Sequence, residues 1–213
     1  MSNSREHIGA LILAGGRGER LGGAIKSELV VGTTRLFDRV AAAFAECTPI
    51  LVAHGRIDPA LLHLPTGVAP VPDLDGDYAG PLAGLAGAIA YIRTLPSPPE
   101  LLVSVAVDTP FLPADYVEWL RTSLDDGPCA IASFAGQPYP TNSIWRTALL
   151  AELPTRVAAG TAPRSLKALG AELGCRYAEW PMTAAGDPFA NINTPDELDE
   201  MRRRAAAAES ARA

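Results

Sequence analysis

Ile8-Gly9-Ala10-Leu11-Ile12-Leu13-Ala14 runs straight into Gly15-Gly16-Arg17-Gly18-Glu19-Arg20-Leu21-Gly22-Gly23-Ala24-Ile25-Lys26. An uncharged apolar run of this length, stopped by paired glycines, reads as a strand buried on both faces in a parallel sheet. Five glycines and two arginines then separate the strand from the next element. Glycine reaches backbone conformations that a side chain forbids, so this loop can aim several N–H groups at one anion. Phosphate is the ligand it suits; the alternative is a flexible surface turn. Neither common phosphate motif fits, since Ile25 stands where a Walker A loop needs glycine before the lysine, and GxGxxG fails at Leu21.

Outward from that stretch, Pro49–Ala53, Leu101–Val107, Pro128–Ser133, Asn142–Trp145 and Arg176–Trp180 read as further strands, and Leu29–Val31 as a brief extended piece. Helices are expected from Thr34, as a cap, through Glu46, from Gly80-Pro81 through Ile92, from about Pro113 to Leu124, and over Arg164–Leu169. Thr194-Pro195-Asp196-Glu197 is a helix start with a threonine cap, a first-turn proline and a capping-box glutamate. The alternation predicts an α/β fold of three layers, a mainly parallel sheet with helices on both faces. Ligands of such sheets bind at the carboxyl ends of the strands.

The 213 residues call for one domain, with a polar tail at 1–6 and a frayed tail at 205–213; the arginines of the low-complexity stretch Arg202–Ala213 favour the negative end of the last helix. A formal charge of -6 argues against a mainly electrostatic nucleic-acid binder. No stretch approaches the ~20 apolar residues of a membrane span. Cys47, Cys129 and Cys175 lie apart without metal or redox spacing and are expected as separate buried thiols in a reduced, cytoplasmic protein.

Lysine occurs only at Lys26 and Lys167. As an exposed loop residue Lys26 would contribute little to stability, within about 0.5 kcal/mol. Asp108, just past an apolar strand in Val107-Asp108-Thr109-Pro110, is placed to reach a cleft at the sheet edge. It suits Mg²⁺, which takes few carboxylates plus water and phosphate oxygens; the other reading is a cap of the following turn.

Leu13-Ala14-Gly15-Gly16, Arg20, Gly22-Gly23 and Lys26 resemble the signature of the nucleotidyltransferases related to MobA, the molybdenum cofactor guanylyltransferase: LAGGxxxRMG followed closely by lysine. Asp108-Thr109-Pro110 resembles the family's magnesium-binding DTP segment. Asp73 with Gly80-Pro81-Leu82-Ala83-Gly84 resembles its D-x6-GPLAG segment, leaving Asp75 and Asp77 as solvated loop charges. Asn191-Ile192-Asn193-Thr194-Pro195 resembles NVNTP, although Asn193 equally suits a turn before the last helix. The resemblance spans Ile8 to about Glu200 in the family's motif order. Leu21 replaces the usual methionine, Ile25 an aspartate, and Ala53 an asparagine that contacts nucleotide, a contact either lost or supplied by His54.

The resemblance implies a Rossmann-like, glycosyltransferase-A type fold and transfer of GMP from GTP to the terminal phosphate of molybdopterin. It implies nucleotide contacts from Leu13, Ala14, Gly15, Gly16, Arg17, Gly18, Lys26, Asp73 and Asp108, with Gly84, Asn191 and Asn193 as further candidates. Lys26, Arg20 and Asp108 are the implied catalytic residues, with Mg²⁺ on Asp108 as cofactor. Transient partners in cofactor biosynthesis are compatible with this reading. Pro138–Thr141 and Arg164–Lys167 are candidates for an acceptor site. The alternatives are a cytidylyltransferase or sugar-1-phosphate nucleotidyltransferase, or a non-catalytic nucleotide-binding regulator.

Overall fold

The structure is a computed structural model and describes residues 6–74, 80–183 and 186–210, without the side chains of Arg17 and Glu19. Seven strands form the main sheet: β1 (Ile8–Leu13), β2 (Ile50–Ala53), β3 (Val68–Val71), β4 (Leu101–Ala106), β5 (Cys129–Phe134), β6 (Gln137–Arg146) and β7 (Arg176–Glu179). Their spatial order is β7-β5-β6-β4-β1-β2-β3. All neighbours pair in parallel except β6, which runs antiparallel to both β4 and β5. The expected mainly parallel sheet is therefore present.

Helices are α1 (Leu36–Ala41), α2 (Pro81–Ile92), α3 (Tyr116–Leu124), α4 (Leu153–Ala158), α5 (Leu166–Leu173) and α6 (Pro195–Ser210). Successive strand side chains point to opposite faces. Ala10 and Ile12 thus join one core with Phe37 and Val40 of α1 and Leu120 of α3, while Leu11 joins another with Leu85 of α2 and Leu169 of α5. Each fully buried leucine, isoleucine or valine contributes roughly 1.5–3 kcal/mol, and both faces of the central strands supply them. The layers are helix, sheet, helix.

Several local readings differ. Thr34 pairs with Val31 in a two-residue ladder instead of capping a helix, and α1 starts at Leu36, continuing only as a 3-10 turn to Phe44. The α3 helix starts at Tyr116, after a turn from Pro113. The β3 strand was missed because Pro70 interrupts it; as an edge strand it tolerates a residue with no N–H. The α4 helix was missed as well, its short apolar face being too brief to show a period. The β6 strand begins at Gln137, and an irregular register between Pro138 and Ser143 hides its alternation.

The tail expected to fray from 205 is helical to Ser210, because Ala205 is buried with Ile192, Leu198 and Met201 and Glu209 pairs with Arg39. Cys129 and Cys175 form a disulfide instead of separate thiols: β5 and the start of β7 are neighbours, bringing their Cα atoms to 4.7 Å. Cys47 is the buried free thiol of the reading, and burial pushes its pKa up to about 11. Among the described residues no helix is long and apolar enough to cross a membrane.

Candidate active site

Four strand ends stand level. Leu13 is in register with Ala53 on one side and Ala106 on the other, and Ala53 with Val71. The segments that follow them rise from one edge of the sheet: the glycine loop, His54-Gly55, Pro72-Asp73 and Val107-Asp108.

Gly15 and Gly55 meet backbone to backbone. A Cβ on Gly15 would lie 2.8 Å from both Cα and N of Gly55, and Gly55 itself has a φ of 58°. The Gly55 N–H donates to Asp73 Oδ1 at 3.1 Å, so Asp73 ties the second and third strand ends together. Burial raises the Asp73 pKa, opposed by that N–H and by the nearby His54. Gly84, near the start of α2, lets the helix approach: a Cβ there would sit 2.9 Å from Ala53 Cβ and Leu13 Cδ2. Gly16 differs: beyond its two chain neighbours, no heavy atom of the described residues lies within 4 Å of where its Cβ would be. Gly15 serves close packing, whereas Gly16 leaves room above the loop.

The charged centre lies beside this floor. Lys26 Nζ stands 2.5 Å from Asp108 Oδ2 and donates to Asn193 Oδ1 at 2.9 Å. The Lys26 and Asp108 side chains are each only 11% exposed. Ile192 N–H donates to the Asp108 carbonyl at 3.1 Å, and Thr109 Oγ1 to Asn191 Oδ1 at 3.2 Å, which straps the two loops together. The capping box read from the sequence is formed: Glu197 Oε2 accepts from Asn193 and Thr194 N–H, while Thr194 Oγ1 accepts from Glu197 N–H. Asn193 thus has both roles, marking the helix start and touching the lysine.

Asp108 Oδ1 is buried without a hydrogen-bond partner among the described residues. Among the described residues no group of three or more His, Cys, Asp or Glu could hold a metal. One carboxylate with a free, hard oxygen fits Mg²⁺, whose remaining ligands are normally water and phosphate, and does not fit a structural zinc site.

Of the other expected residues, Ala14 is buried and donates its N–H to the Ala53 carbonyl at 2.8 Å. Gly18 pairs with Ala24, and Arg17 with Ile25, in a small ladder that folds the loop back on itself. Ile25, the departure from the family's aspartate, packs its side chain against the core. Arg20 lies exposed on the 3-10 turn Glu19–Leu21, and the structure does not join it to Asp108 as it joins Lys26. Ala53 is fully buried, and the His54 ring is engaged through Nδ1 with the Ile57 carbonyl at 2.8 Å. Asp75 and Asp77 lie outside the described residues. Of the acceptor candidates, the Tyr139 hydroxyl donates to Asp187, and Ser165 caps α5. Sequence reasoning missed Gly55 and Thr109; a glycine just past an apolar strand was the available signal for the first.

The MobA-like NTP transferase domain model matches residues 10–174, which include the glycine loop, Asp73, Gly84 and Asp108. The chain belongs to the MobA-like NTP transferase family. A molybdenum cofactor guanylyltransferase of Mesorhizobium japonicum is 33% identical over 208 residues, covering 93% of this chain and 96% of its own. Molybdopterin-guanine dinucleotide biosynthesis protein A of Archaeoglobus fulgidus shares the fold at a TM-score of 0.71 and 21% identity, over 93% of this chain and 98% of that one. The 2-C-methyl-D-erythritol 4-phosphate cytidylyltransferase of Thermus thermophilus also shares it, at a TM-score of 0.62 and 19% identity, covering 93% and 98%. The fold alone therefore does not choose a base. As a MobA-like transferase the chain is a nucleotidyltransferase, and its Lys26–Asp108–Asn193 contact joins three of the family-like motifs at one point.

Proposed function

We propose that this MobA-like transferase moves GMP from GTP to the terminal phosphate of molybdopterin and releases pyrophosphate. The observation that carries the reading is the buried Lys26–Asp108 pair beside a glycine loop with open space over Gly16. The choice of guanine and of the molybdenum cofactor as acceptor rests on the Mesorhizobium relative's name together with its near full-length match. A cytoplasmic location belongs to the same proposal, as the compartment in which GTP is plentiful.

The acceptor phosphate is already anionic near neutral pH, so no general base is needed. Its oxygen attacks the α-phosphorus of GTP in line; the new O–P bond forms as the bond to the β-phosphate oxygen breaks, and pyrophosphate leaves with the electron pair. The chain's contribution is positioning and charge neutralisation. Gly15–Gly18 are assigned to the β- and γ-phosphates through backbone N–H groups. Lys26 and Arg20 balance charge on the triphosphate and departing pyrophosphate. Asp73 holds Gly55 and the floor against which the nucleoside lies. Mg²⁺ would be held by Asp108, aided by the unpartnered Oδ1, and would supply further neutralisation of phosphate charge.

GTP with Mg²⁺ should raise the melting temperature more than ATP or CTP does, since a ligand bound only by the native state stabilises it by mass action. Equal shifts with all three would remove guanine specificity. A pyrophosphate-release assay with molybdopterin and sugar 1-phosphates as rival acceptors tests the other half.

A further inference from the structure

Lys26 does not stand on a regular element. It opens a single 3-10 turn, Lys26–Glu28, whose N-terminal side lacks a side-chain cap. Left to itself a turn this short holds its first residue loosely, because it closes few hydrogen bonds for the residues it orders. The turn's last residue, however, is gripped. Arg35 Nη1 donates to both carboxylate oxygens of Glu28, at 3.1 and 3.0 Å. The opposite side of the same guanidinium forms a fork on Asp38, with Nε and Nη2 each at 2.9 Å. Nη1 and Nη2 also reach the carbonyls of Leu62 and His63 at 3.4 Å, and His63 Nδ1 meets Glu28 Oε2 at 3.0 Å. Ser27, between Lys26 and Glu28, is fully buried, so the turn cannot slide without exposing a packed residue.

We infer that Arg35, acting through Glu28, is the positioning residue for Lys26. The guanidinium joins the lysine turn, the first turn of α1 and the Leu62–His63 segment into one rigid unit. Its planar fork fixes direction as well as distance, which a lysine ammonium at the same place would not do. Neither Arg35 nor Glu28 is assigned to nucleotide, and the pair is about three-quarters buried, at 23% and 25% exposure. The inference rests on Lys26 acting on the phosphates, as proposed above.

The experiment is a double-mutant cycle on the full chain, with kcat/KM taken per folded molecule and secondary structure checked by circular dichroism. Arg35→Lys and Glu28→Gln should each lower kcat/KM by about 10-fold, mainly in kcat. In a Lys26→Met background the same changes should cost less than about 2-fold, because the group they position is gone. Equal losses in both backgrounds, or no loss in the parent, overturn the inference while leaving the phosphate role of Lys26 standing. Should Glu28→Gln not fold, Arg35→Lys, which keeps the charge, carries the cycle alone. Full activity of Lys26→Met would instead remove the phosphate role itself, and the positioning inference with it.

Discussion

Replacing Lys26 with methionine keeps most of the side-chain stem and deletes the ammonium group. In the folded protein this strands Asp108: Oδ2 loses its partner at 2.5 Å, and Oδ1 already has none among the described residues. Asn193 Oδ1 loses a donor at the same time. Removing one member of a fully buried ion pair costs roughly 3–5 kcal/mol. Asp108 keeps 8% of its surface, so water can reach one side of the carboxylate, and we expect a smaller loss, about 2 kcal/mol. For a chain of this size that corresponds to a fall in Tm of about 4–8 °C. An exposed loop lysine would give almost no change; the buried ion pair with Asp108 is what raises the expected loss. Urea unfolding of the ligand-free protein measures the effect. The double variant Lys26→Met with Asp108→Asn supplies the control, since an amide tolerates the loss of the cation and should recover about 1 kcal/mol or more. If Lys26→Met unfolds within about 0.5 kcal/mol of the parent, the pair does not hold the loops together and this reasoning is wrong.

Asp108→Asn should fold but lose about 10²-fold or more in turnover, and near-normal activity at limiting Mg²⁺ would refute the metal assignment. Gly15→Ala pushes a methyl to 2.8 Å from the Gly55 backbone, so it should cost about 1–3 kcal/mol and raise the KM for GTP; an unchanged Tm and KM would show that the two loops separate easily. Asp73 has a pKa raised by burial. Its folded form therefore binds a proton more tightly than its unfolded form, and stability falls as pH rises from about 4 through the folded pKa. Asp73→Asn should accordingly be more stable than the parent at pH 7, with the advantage gone below about pH 3.5; a difference independent of pH in urea titrations would exclude this origin.

The sheet was legible because buried parallel strands leave uninterrupted apolar runs, as in Leu101–Ala106, and paired glycines mark where they stop. The strand containing Pro70 and the bulged start at Pro138 were not, since each breaks the local pattern and survives only through its neighbours. As candidates, Gly15, Lys26 and Asp108 were legible locally, from strand ends and glycines, and Asp73, past the strand that Pro70 hides, only through the D-x6-GPLAG resemblance. Their meeting was not. That Lys26 touches Asp108 and Asn193, 82 and 167 positions away, is decided by strand order and by the strap between Asp108 and Ile192, which no local pattern encodes. The same holds for the disulfide between Cys129 and Cys175, set by the pairing of β5 with β7. The C-terminal helix makes the point in the opposite direction: its polar, alanine-rich end looked unable to hold itself, and it is held because Ala205 and Glu209 find Ile192 and Arg39 across the fold. Local sequence determined the uninterrupted strands and the glycine- and charge-bearing segments that follow them. Only tertiary contact decided which charges face each other, because that depends on the order in which distant strands stand side by side.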